Sequence, residues 1–439
     1  MQSLEKVNSE KKTIEKLPTD KVVEKSSEAF IKNEGKTKSE IRAERRAKQE
    51  AQRAAKKKSI EKSKPVITET IPVKPKEILN QKASIKKPIK QENSHVVNFF
   101  KHLCHERFET PPLNDSIHPA IVKLGVQYEN KVIVGSNARC VGFLAAVKKL
   151  IKDFVRPAQA DFARGLDKCL EESAIHLDQC RPLAVSVQNA LRYLKWQLTK
   201  LSPSISDTDA KAVLDTAIDT YISQQIELAM KAISINIQTK ISDGDVILTY
   251  GFSSLINTIF VDAYNAGKKF HVVVVDGRQR LEGKEQLRRL VKHGIECSYI
   301  LMNALDLIMP QVSKVFLAAH AILGNGSIMS RGGTSQVALM AKACNVPVLV
   351  ACETHKYYER ALTNSITYNE LGNPDEFVKF LPDTKKDILN KLRNKKNFNI
   401  LNIIYDVTPS DFITGVVTEM GISPCKSVPA IMRNKPFYI

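Results

Sequence analysis

Charged and polar side chains follow several apolar runs in the second half of this chain. Asp276 and Arg278 follow one such run, His320 follows a second, Glu353 a third and Asp406 a fourth. Carboxylates and imidazoles move protons, and guanidinium groups hold anions. If the runs are parallel strands, these side chains gather at one edge of a sheet, where such sheets bind ligands.

Two glycine-containing loops strengthen the expectation of an anion site. Asn325-Gly326-Ser327 is followed closely by Ser330-Arg331-Gly332-Gly333-Thr334, which leads into a helical pattern. Free N–H groups at a helix N-terminus, together with Arg331, suit a phosphate. The alternative is that the glycines only turn the chain and the charged groups cap helices. The chain has no G-x-G-x-x-G, Walker A or G-x-S-x-G motif.

The elements expected to position these residues alternate between strands and helices after Asp243-Gly244. The intervening helical patterns include Ser254–Ala266, Lys284–His293 and Thr334–Cys344. Runs this uniformly apolar are typical of strands that are covered on both faces, and the alternation predicts a parallel sheet. The predicted strands are Val246–Thr249, His271–Val275, Ser298–Met302, Val315–Ala319, Val346–Ala351 and Leu401–Tyr405.

Helical periodicity dominates the region before that sheet. Ala138–Val155 places apolar residues at a 3.6-residue period, and Phe162–Leu177 and Val185–Leu201 continue the pattern. Ser206 and its polar neighbours predict the start of a long helix that reaches about Ile241. The fold class is therefore α/β: a helical bundle over residues 97–241, then a Rossmann-like domain over residues 242–439.

Residues 1–96 are predicted to form a disordered basic tail. The whole chain carries 66 Lys and Arg against 47 Asp and Glu, a net charge of +19. Residues 1–98 hold 25 basic and 14 acidic residues, and the other 341 residues hold 41 and 33. The tail has too little apolar surface to offset the entropy of ordering. The composition also excludes collagen-like and disulfide-framework proteins.

Three interpretations remain for the basic stretch Lys38–Lys58: a solvated, transient helix, a contact with RNA, or a nuclear signal. No signal peptide or membrane-spanning run is visible, so we expect a cytosolic protein. The eight cysteines include no C-x-x-C pair and are expected to be reduced. His102, Cys104 and His105 lie close together, but no second half-site follows, so no metal is expected.

Several stretches together identify a family resemblance that covers residues 97 to 436. They resemble the regulatory-subunit family of eukaryotic translation initiation factor 2B, which is similar in fold to ribose-1,5-bisphosphate and methylthioribose-1-phosphate isomerases. The matching stretches are GSNARC (Gly135–Cys140), RPLAVSVQNALRYLK (Arg181–Lys195), GDVILTYG (Gly244–Gly251), VVVDGRQRLEGKEQLRRL (Val273–Leu290), Met309–Tyr357 and YDVTPSDFITGVVTEMG (Tyr405–Gly421).

The resemblance implies a protein without catalytic residues or cofactors. The related isomerases use a Cys after an early strand and an Asp after a later one. Here the first strand end, Leu248 to Phe252, contains no Cys, and His320 stands at the position of the Asp. Arg181, Arg278 and Arg331 are then expected to form, with His320, a vestigial anion pocket.

The resemblance also implies partners. It predicts a regulatory subunit of a guanine nucleotide exchange factor, assembled with alpha, beta, gamma and epsilon subunits and acting on initiation factor 2. A cleft in the helical domain would receive the alpha subunit of initiation factor 2, whose phosphorylation inhibits exchange. Arg139 is the predicted cleft residue. The alternatives are an active sugar-phosphate isomerase and a nucleic-acid-binding protein that uses its tail for weak RNA contact.

Overall fold

The structure is a computed structural model that describes Leu103 and residues 117–157, 161–202, 204–277, 280–373, 376 and 401–434. All of them lie in one compact unit, Lys90–Ile439. The predicted basic tail, residues 1–96, lies outside the described residues. So do His102, Cys104 and His105.

Helices form the first part of the described chain, because apolar side chains recur there at helical spacing. Their apolar faces meet in a core that contains Phe143, Leu166 and Leu194, all 1% exposed or less. The helices are α1 (Pro119–Glu129), α2 (Ser136–Asp153), α3 (Phe162–Cys180), α4 (Val185–Thr199), α5 (Asp207–Tyr221) and α6 (Ala229–Gln238).

A π-helix, Ile222–Leu228, interrupts the long helix that the sequence predicts from Ser206 onward. The Ser206 hydroxyl accepts the N–H of Asp209, so the predicted N-cap is present. The predicted helix is therefore three segments, α5, the π-helix and α6. A π-helix is rare and frequently marks a functional position in a helix.

The second part of the chain is built on a seven-stranded sheet with the order β11-β10-β7-β4-β1-β2-β3. All its pairs are parallel except β10 with β11. The α/β fold class is thereby confirmed. The strands are β1 (Asp245–Tyr250), β2 (Phe270–Asp276), β3 (Cys297–Leu301), β4 (Lys314–Ala318), β7 (Val348–Ala351), β10 (Gly415–Thr418) and β11 (Gly421–Ser423).

Helices cover the faces of this sheet. Apolar side chains from both faces form two cores, one around Leu317 and Val350 and one around Phe260 and Val274. This arrangement explains why the strands are apolar throughout rather than alternating. The helices are α7 (Ser254–Asn265), α8 (Gly283–Lys292), the short α9 (Leu305–Ile308), α10 (Thr334–Ala343) and the C-terminal α11 (Val428–Asn434).

A second, four-stranded sheet was not predicted from the sequence. Its order is β8-β5-β6-β9, and its strands are β5 (Ala321–Leu323), β6 (Ile328–Arg331), β8 (Tyr357–Tyr358) and β9 (Tyr405–Thr408). The predicted strand Leu401–Tyr405 is wrong in its position, since the strand begins at Tyr405 and pairs antiparallel with β6. Its pairing with β6 places Tyr405 beside Arg331.

The strand order reverses between β1 and β4, which is where doubly wound sheets bind ligands. Within the described chain, no helix is long and apolar enough to span a membrane. The described residues also contain no group of three or more His, Cys, Asp or Glu that could hold a metal ion.

Candidate functional site: an arginine pocket between the helices and the second sheet

Three arginines from distant parts of the sequence surround His320. Arg139 lies in the first turn of α2, Arg181 follows the last residue of α3, and Arg331 ends β6. His320 lies between β4 and β5. We call this group, together with Tyr405, the arginine pocket.

Arg139 is buried, with 1% of its surface exposed. Its Nη2 donates a hydrogen bond to the carbonyl oxygen of Pro182 at 2.5 Å, and its guanidinium carbon lies 4.8 Å from the ring centre of Tyr128. The Tyr128 hydroxyl in turn donates to the carbonyl oxygen of Arg139. Burial, followed by the charge of Arg181, lowers the pKa of Arg139.

Arg181 forms a buried ion pair with Glu370. Its Nε and Nη2 donate to the two carboxylate oxygens at 2.8 and 3.3 Å, and the side chains are 4% and 10% exposed. Bidentate geometry makes this contact directional as well as strong. Breaking one partner of such a pair leaves an uncompensated buried charge.

Arg331 forms the third side of the pocket. Its Nε lies 3.2 Å from a carboxylate oxygen of Glu282, and its guanidinium carbon lies 5.6 Å from the ring centre of Tyr405. The Tyr405 ring also contacts the ring of His320, with centroids 4.4 Å apart. Tyr405 therefore fixes the relative positions of Arg331 and His320.

The pocket is electrostatically positive. Burial lowers the pKa of His320 well below its ordinary value, and the charges of Arg139 and Arg331 lower it further, so His320 is neutral at pH 7. The three arginines face two paired carboxylates, those of Glu370 and Glu282. This leaves an excess of one positive charge, which favours an anion.

Each arginine also has one buried N–H nitrogen without a hydrogen-bond partner in the described part of the chain. These atoms are Nε of Arg139, Nη1 of Arg181 and Nη1 of Arg331. Buried donors without partners are rare in proteins and indicate a bound water or ion. The pocket lined by Arg139, His320, Glu370 and Tyr405 has a free volume of about 20 Å³. That space accommodates one water, and it is too small for a sugar phosphate.

The start of α10, where the sequence predicts a phosphate, is occupied by a carboxylate of the chain itself. One oxygen of Asp406 accepts the N–H groups of Gly333 and Ser335, each at 2.8 Å. These two N–H groups of the helix N-terminus are therefore not available to a phosphate. Asp406 thus occupies part of the position at which the sequence predicts a phosphate. Burial raises the pKa of Asp406 to about 6.

Tyr250 fills the crevice at the end of β1. Its hydroxyl donates to the carbonyl oxygen of Gly332 at 2.7 Å, and a β-carbon on Gly333 would lie 2.4 Å from that hydroxyl oxygen. Gly333 has a φ of 109°, a conformation that only glycine adopts easily. The aromatic side chain thus occupies the switch point between β1 and β4, where a doubly wound enzyme would bind its substrate.

The predicted site residues are only partly brought together. Arg181, His320 and Arg331 meet as predicted, whereas Arg278 lies outside the described residues. Arg139 belongs to this same pocket rather than to an exposed cleft. With 1% exposure it cannot touch a partner protein in this conformation, so the predicted partner contact does not fit its position.

A second set of contacts holds the helices to the main sheet through residues 353–357, and sequence reasoning missed its importance. Glu353, which is fully buried, accepts a hydrogen bond from Nδ2 of Asn137 in α2 at 2.6 Å. Lys356 lies 2.6 Å from the other carboxylate oxygen. Asn189 in α4 donates to the carbonyl oxygens of His355 and Tyr357, both at 2.8 Å.

The fold and the pocket together define a Rossmann-like α/β protein with a helical part that precedes its parallel sheet. The chain belongs to the Initiation factor 2 subunit family, whose sequence model matches residues 132–425.

Within that family, the chain is similar to the delta subunits, as GSNARC and AHAILGNGSIMSR also indicate. It is 41% identical over 342 residues to translation initiation factor eIF2B subunit delta of Schizosaccharomyces pombe, covering 77% of this chain and 73% of that protein. It is 31% identical to ribose 1,5-bisphosphate isomerase of Pyrococcus furiosus, covering 66% of this chain and 87% of the enzyme.

Among solved structures, a chain of the tetrameric eIF2B-beta2-delta2 complex from C. thermophilum matches with a TM-score of 0.64 and 29% identity. The match covers 74% of this chain and 98% of that one. The resemblance to initiation factor 2B subunits is therefore confirmed.

Proposed function

We propose that this chain is a non-catalytic regulatory subunit of the guanine nucleotide exchange factor for translation initiation factor 2, acting in the cytosol. The observation that carries the proposal is the 41% identity to a delta subunit along 77% of the chain. The site supports it, because Tyr250 fills the crevice at the end of β1, and the family resemblance implies that neutral His320 replaces the Asp of the isomerases.

The proposed partners are the alpha, beta, gamma and epsilon subunits of the same factor. A beta subunit is the first candidate, since the similar solved chain belongs to a beta2-delta2 complex. Exposed apolar side chains on the sheet part support a protein interface. Leu307 in α9 is 74% exposed, Leu339 in α10 is 52% exposed, and Met420 beside the edge strand β11 is 51% exposed.

Co-expression tests the assembly. This chain should purify in equimolar amounts with the four other subunit types and should fail to stay soluble at high concentration alone. Leu307→Asp and Leu339→Asp should reduce recovery of the beta subunit, whereas Thr216→Asp on an exposed face of α5 is the control. A stable monomer that ignores all four subunits would contradict the proposal.

We further propose that the chain helps to sense phosphorylation of the alpha subunit of initiation factor 2. A phosphoserine adds nearly two negative charges, and sensing requires contacts that differ between the two forms. Exchange assays on complexes with and without this chain test this role. Loss of inhibition by the phosphorylated substrate, with basal exchange retained, is the expected result. Unchanged inhibition would refute it.

The isomerase alternative has a direct test. The purified chain should show no turnover of ribose 1,5-bisphosphate, because the structure offers no thiol at the end of β1. Measurable turnover by the unmodified chain would overturn the non-catalytic assignment.

The arginine pocket supports a second proposal, that it holds one small anion such as chloride. The excess positive charge of the three arginines, the unpartnered N–H group of Arg139 and the free volume of about 20 Å³ that Arg139 and His320 line support a monatomic ion. The unfolding temperature should be higher in sodium chloride than in sodium gluconate at equal ionic strength. Arg181→Met should remove the difference, and Arg288→Met, on an exposed face of α8, should retain it.

The basic tail supports a weak RNA contact. Residues 1–98 carry a net charge of +11, and binding through counterion release requires only positive charge. Salt-sensitive RNA binding that is lost when residues 1–95 are deleted is the expected result. Binding that survives the deletion would contradict a contact through the tail.

A further inference from the structure

One continuous helical stretch, residues 207–238, links the helical part of the chain to the main sheet. Its first half, α5, packs into the helical core through Leu214 and Ile218, which are 1% exposed or less. Its second half, α6, packs into one of the two sheet cores through the fully buried Ile233. The π-helix Ile222–Leu228 lies between these halves. Any movement of the helical part relative to the main sheet must therefore bend or turn the stretch at this point.

Polar contacts also attach each half to its own part of the fold. In α5, carboxylate oxygens of Asp215 and Asp219 lie 3.1 and 2.8 Å from Nζ of Lys148 in α2. In α6, Nδ2 of Asn236 donates to the carbonyl oxygen of Thr418 in β10 at 3.1 Å. The two halves are thus attached to different parts of the fold, and the π-helix between them takes up any difference in their movement.

The spacing of the buried residues shows that the π-helix holds one residue more than an α-helical turn would. Buried apolar residues recur every three or four positions within α5 and within α6, whereas five positions separate the buried Tyr221 from Ile226. Each residue of an α-helix turns the chain by about 100°. In a continuous α-helix of the same sequence, the buried face of α5 would therefore be turned by about 100° relative to that of α6. The π-helix absorbs one residue and keeps both apolar faces in their cores.

The local sequence does not impose this wider turn, since Ile222–Leu228 contains no proline and no glycine. Contacts with the rest of the fold must hold it instead. The carbonyl oxygen of Gln225 lies 2.9 Å from Nδ1 of His355, which is 2% exposed and follows β7. A carbonyl oxygen only accepts, so Nδ1 carries the hydrogen and donates it. His355 thus holds the π-helix to the same segment, residues 353–357, that holds α2 and α4.

We propose that the π-helix is a joint at which the helical part turns relative to the main sheet, and that His355 stabilises this joint. A turn that depends on one contact outside the helix opens more readily than the α-helical turns on either side of it. Movement at the joint passes a change in the helical part on to the sheet, a use that rests on the proposed regulatory role.

Hydrogen–deuterium exchange of the 439-residue chain, measured by mass spectrometry of its peptides, tests the joint. Amides of the π-helix should exchange about tenfold faster, or more, than those in the central turns of α5 and α6. His355→Leu removes the donor and should raise that rate further. His355→Asn keeps a donor close to the position of Nδ1 and should restore most of the wild-type protection.

Deletion of single residues tests the extra residue directly. Deleting Gln224, an exposed residue of the π-helix, should give a continuous α-helix with both apolar faces in place, and the fast exchange should disappear. Deleting Thr216, an exposed residue of α5, is the matched control. It turns the preceding buried residues by about 100° and should lower the unfolding temperature far more than the deletion of Gln224.

Wild-type π-helix amides that are as protected as those of α5 and α6 would overturn the proposal, and so would equal destabilisation by the two deletions. Unchanged exchange in His355→Leu would overturn the role of His355. In the assembled exchange factor, the Gln224 deletion should reduce inhibition by the phosphorylated substrate. That readout fails if the regulatory role is wrong, whereas amide exchange does not depend on it, so the two failures are distinguishable.

Discussion

Replacing Glu353 by Gln should destabilise the protein more than any surface change, because it leaves Lys356 without a counter-charge. The two side chains are 0% and 8% exposed and lie 2.6 Å apart. Asn137 donates to the same carboxylate. Glutamine keeps the shape of the side chain and removes its charge, so the substitution isolates the electrostatic contribution.

Two independent arguments give a similar loss of unfolding free energy for Glu353→Gln. Burial by itself raises the pKa of Glu353, but Lys356 and His355 outweigh it and lower the pKa to about 2. A displacement of about 2.5 pH units from the ordinary glutamate value corresponds to about 3 kcal/mol. Removing one partner of a buried ion pair costs about 3–5 kcal/mol in proteins generally. This stabilisation is complete at neutral pH and is lost as the pH falls from about 4.5 toward 2.

Thermal unfolding at pH 7 measures the effect. Glu353→Gln should lower the unfolding temperature by about 10 °C, given about 2–4 °C per kcal/mol for a domain of this size. Glu353→Gln combined with Lys356→Met should recover most of the loss, since the unpaired charge is then removed. Glu285→Gln, in an exposed ion pair on α8, is the matched control and should change little. A single variant that unfolds within 1–2 °C of wild type, roughly a loss below 1 kcal/mol, would refute the reasoning.

The remaining predictions concern Asp406 and two glycines. Burial raises the pKa of Asp406 to about 6, so its contribution to stability is greatest below about pH 4 and is lost as the pH rises through 6. Asp406→Asn should remove this pH-dependent part of the free energy of unfolding, which is about 3 kcal/mol. Unfolding temperatures measured between about pH 4 and 7 should then vary less in the variant than in the wild type, and an unchanged pH profile would contradict the assignment. Gly324→Ala should lower the unfolding temperature, because its β-carbon would lie 2.2 Å from the carbonyl oxygen of Glu359. Gly415→Ala, whose nearest atom is 3.5 Å away, should change it little, and equal effects at the two glycines would exclude a steric cause.

The order of helices and sheet strands could be predicted because it depends on local periodicity. Val246–Thr249 and His271–Val275 were placed within two residues of β1 and β2. The second sheet could not be predicted from local periodicity, because β5 and β8 have only three and two residues and are held by pairing with distant strands. The apolar run at Leu401–Tyr405 was assigned to the main sheet, because its sequence does not show that β9 pairs with β6 instead.

The residues of the arginine pocket, too, could be predicted only in part from the sequence. The sequence indicates Arg181 and Arg331 as anion-binding residues, but Glu370, which pairs with Arg181, stands 189 positions later. For Asp406, the sequence does not show whether its carboxylate or a bound phosphate accepts the N–H groups at the start of α10. Its carboxylate and an external phosphate would use the same N–H groups of Gly333 and Ser335, and the intramolecular ligand needs no binding from solution.

The arginines of the pocket have a structural role that does not depend on catalysis. In this chain Tyr250 fills the crevice at the end of β1 and Asp406 caps α10, while the buried Arg139 and Arg181 and the partly exposed Arg331 lie around His320. Burying the guanidinium groups of Arg139 and Arg181, and half-burying that of Arg331, is costly and requires compensation. Glu370 and Glu282 supply most of it, and their residues lie in different segments from the arginines they pair with. The ion pairs therefore join Arg181, at the end of α3, and Arg331, at the end of β6, to the loops that contain these carboxylates, and this joining role does not depend on a bound substrate.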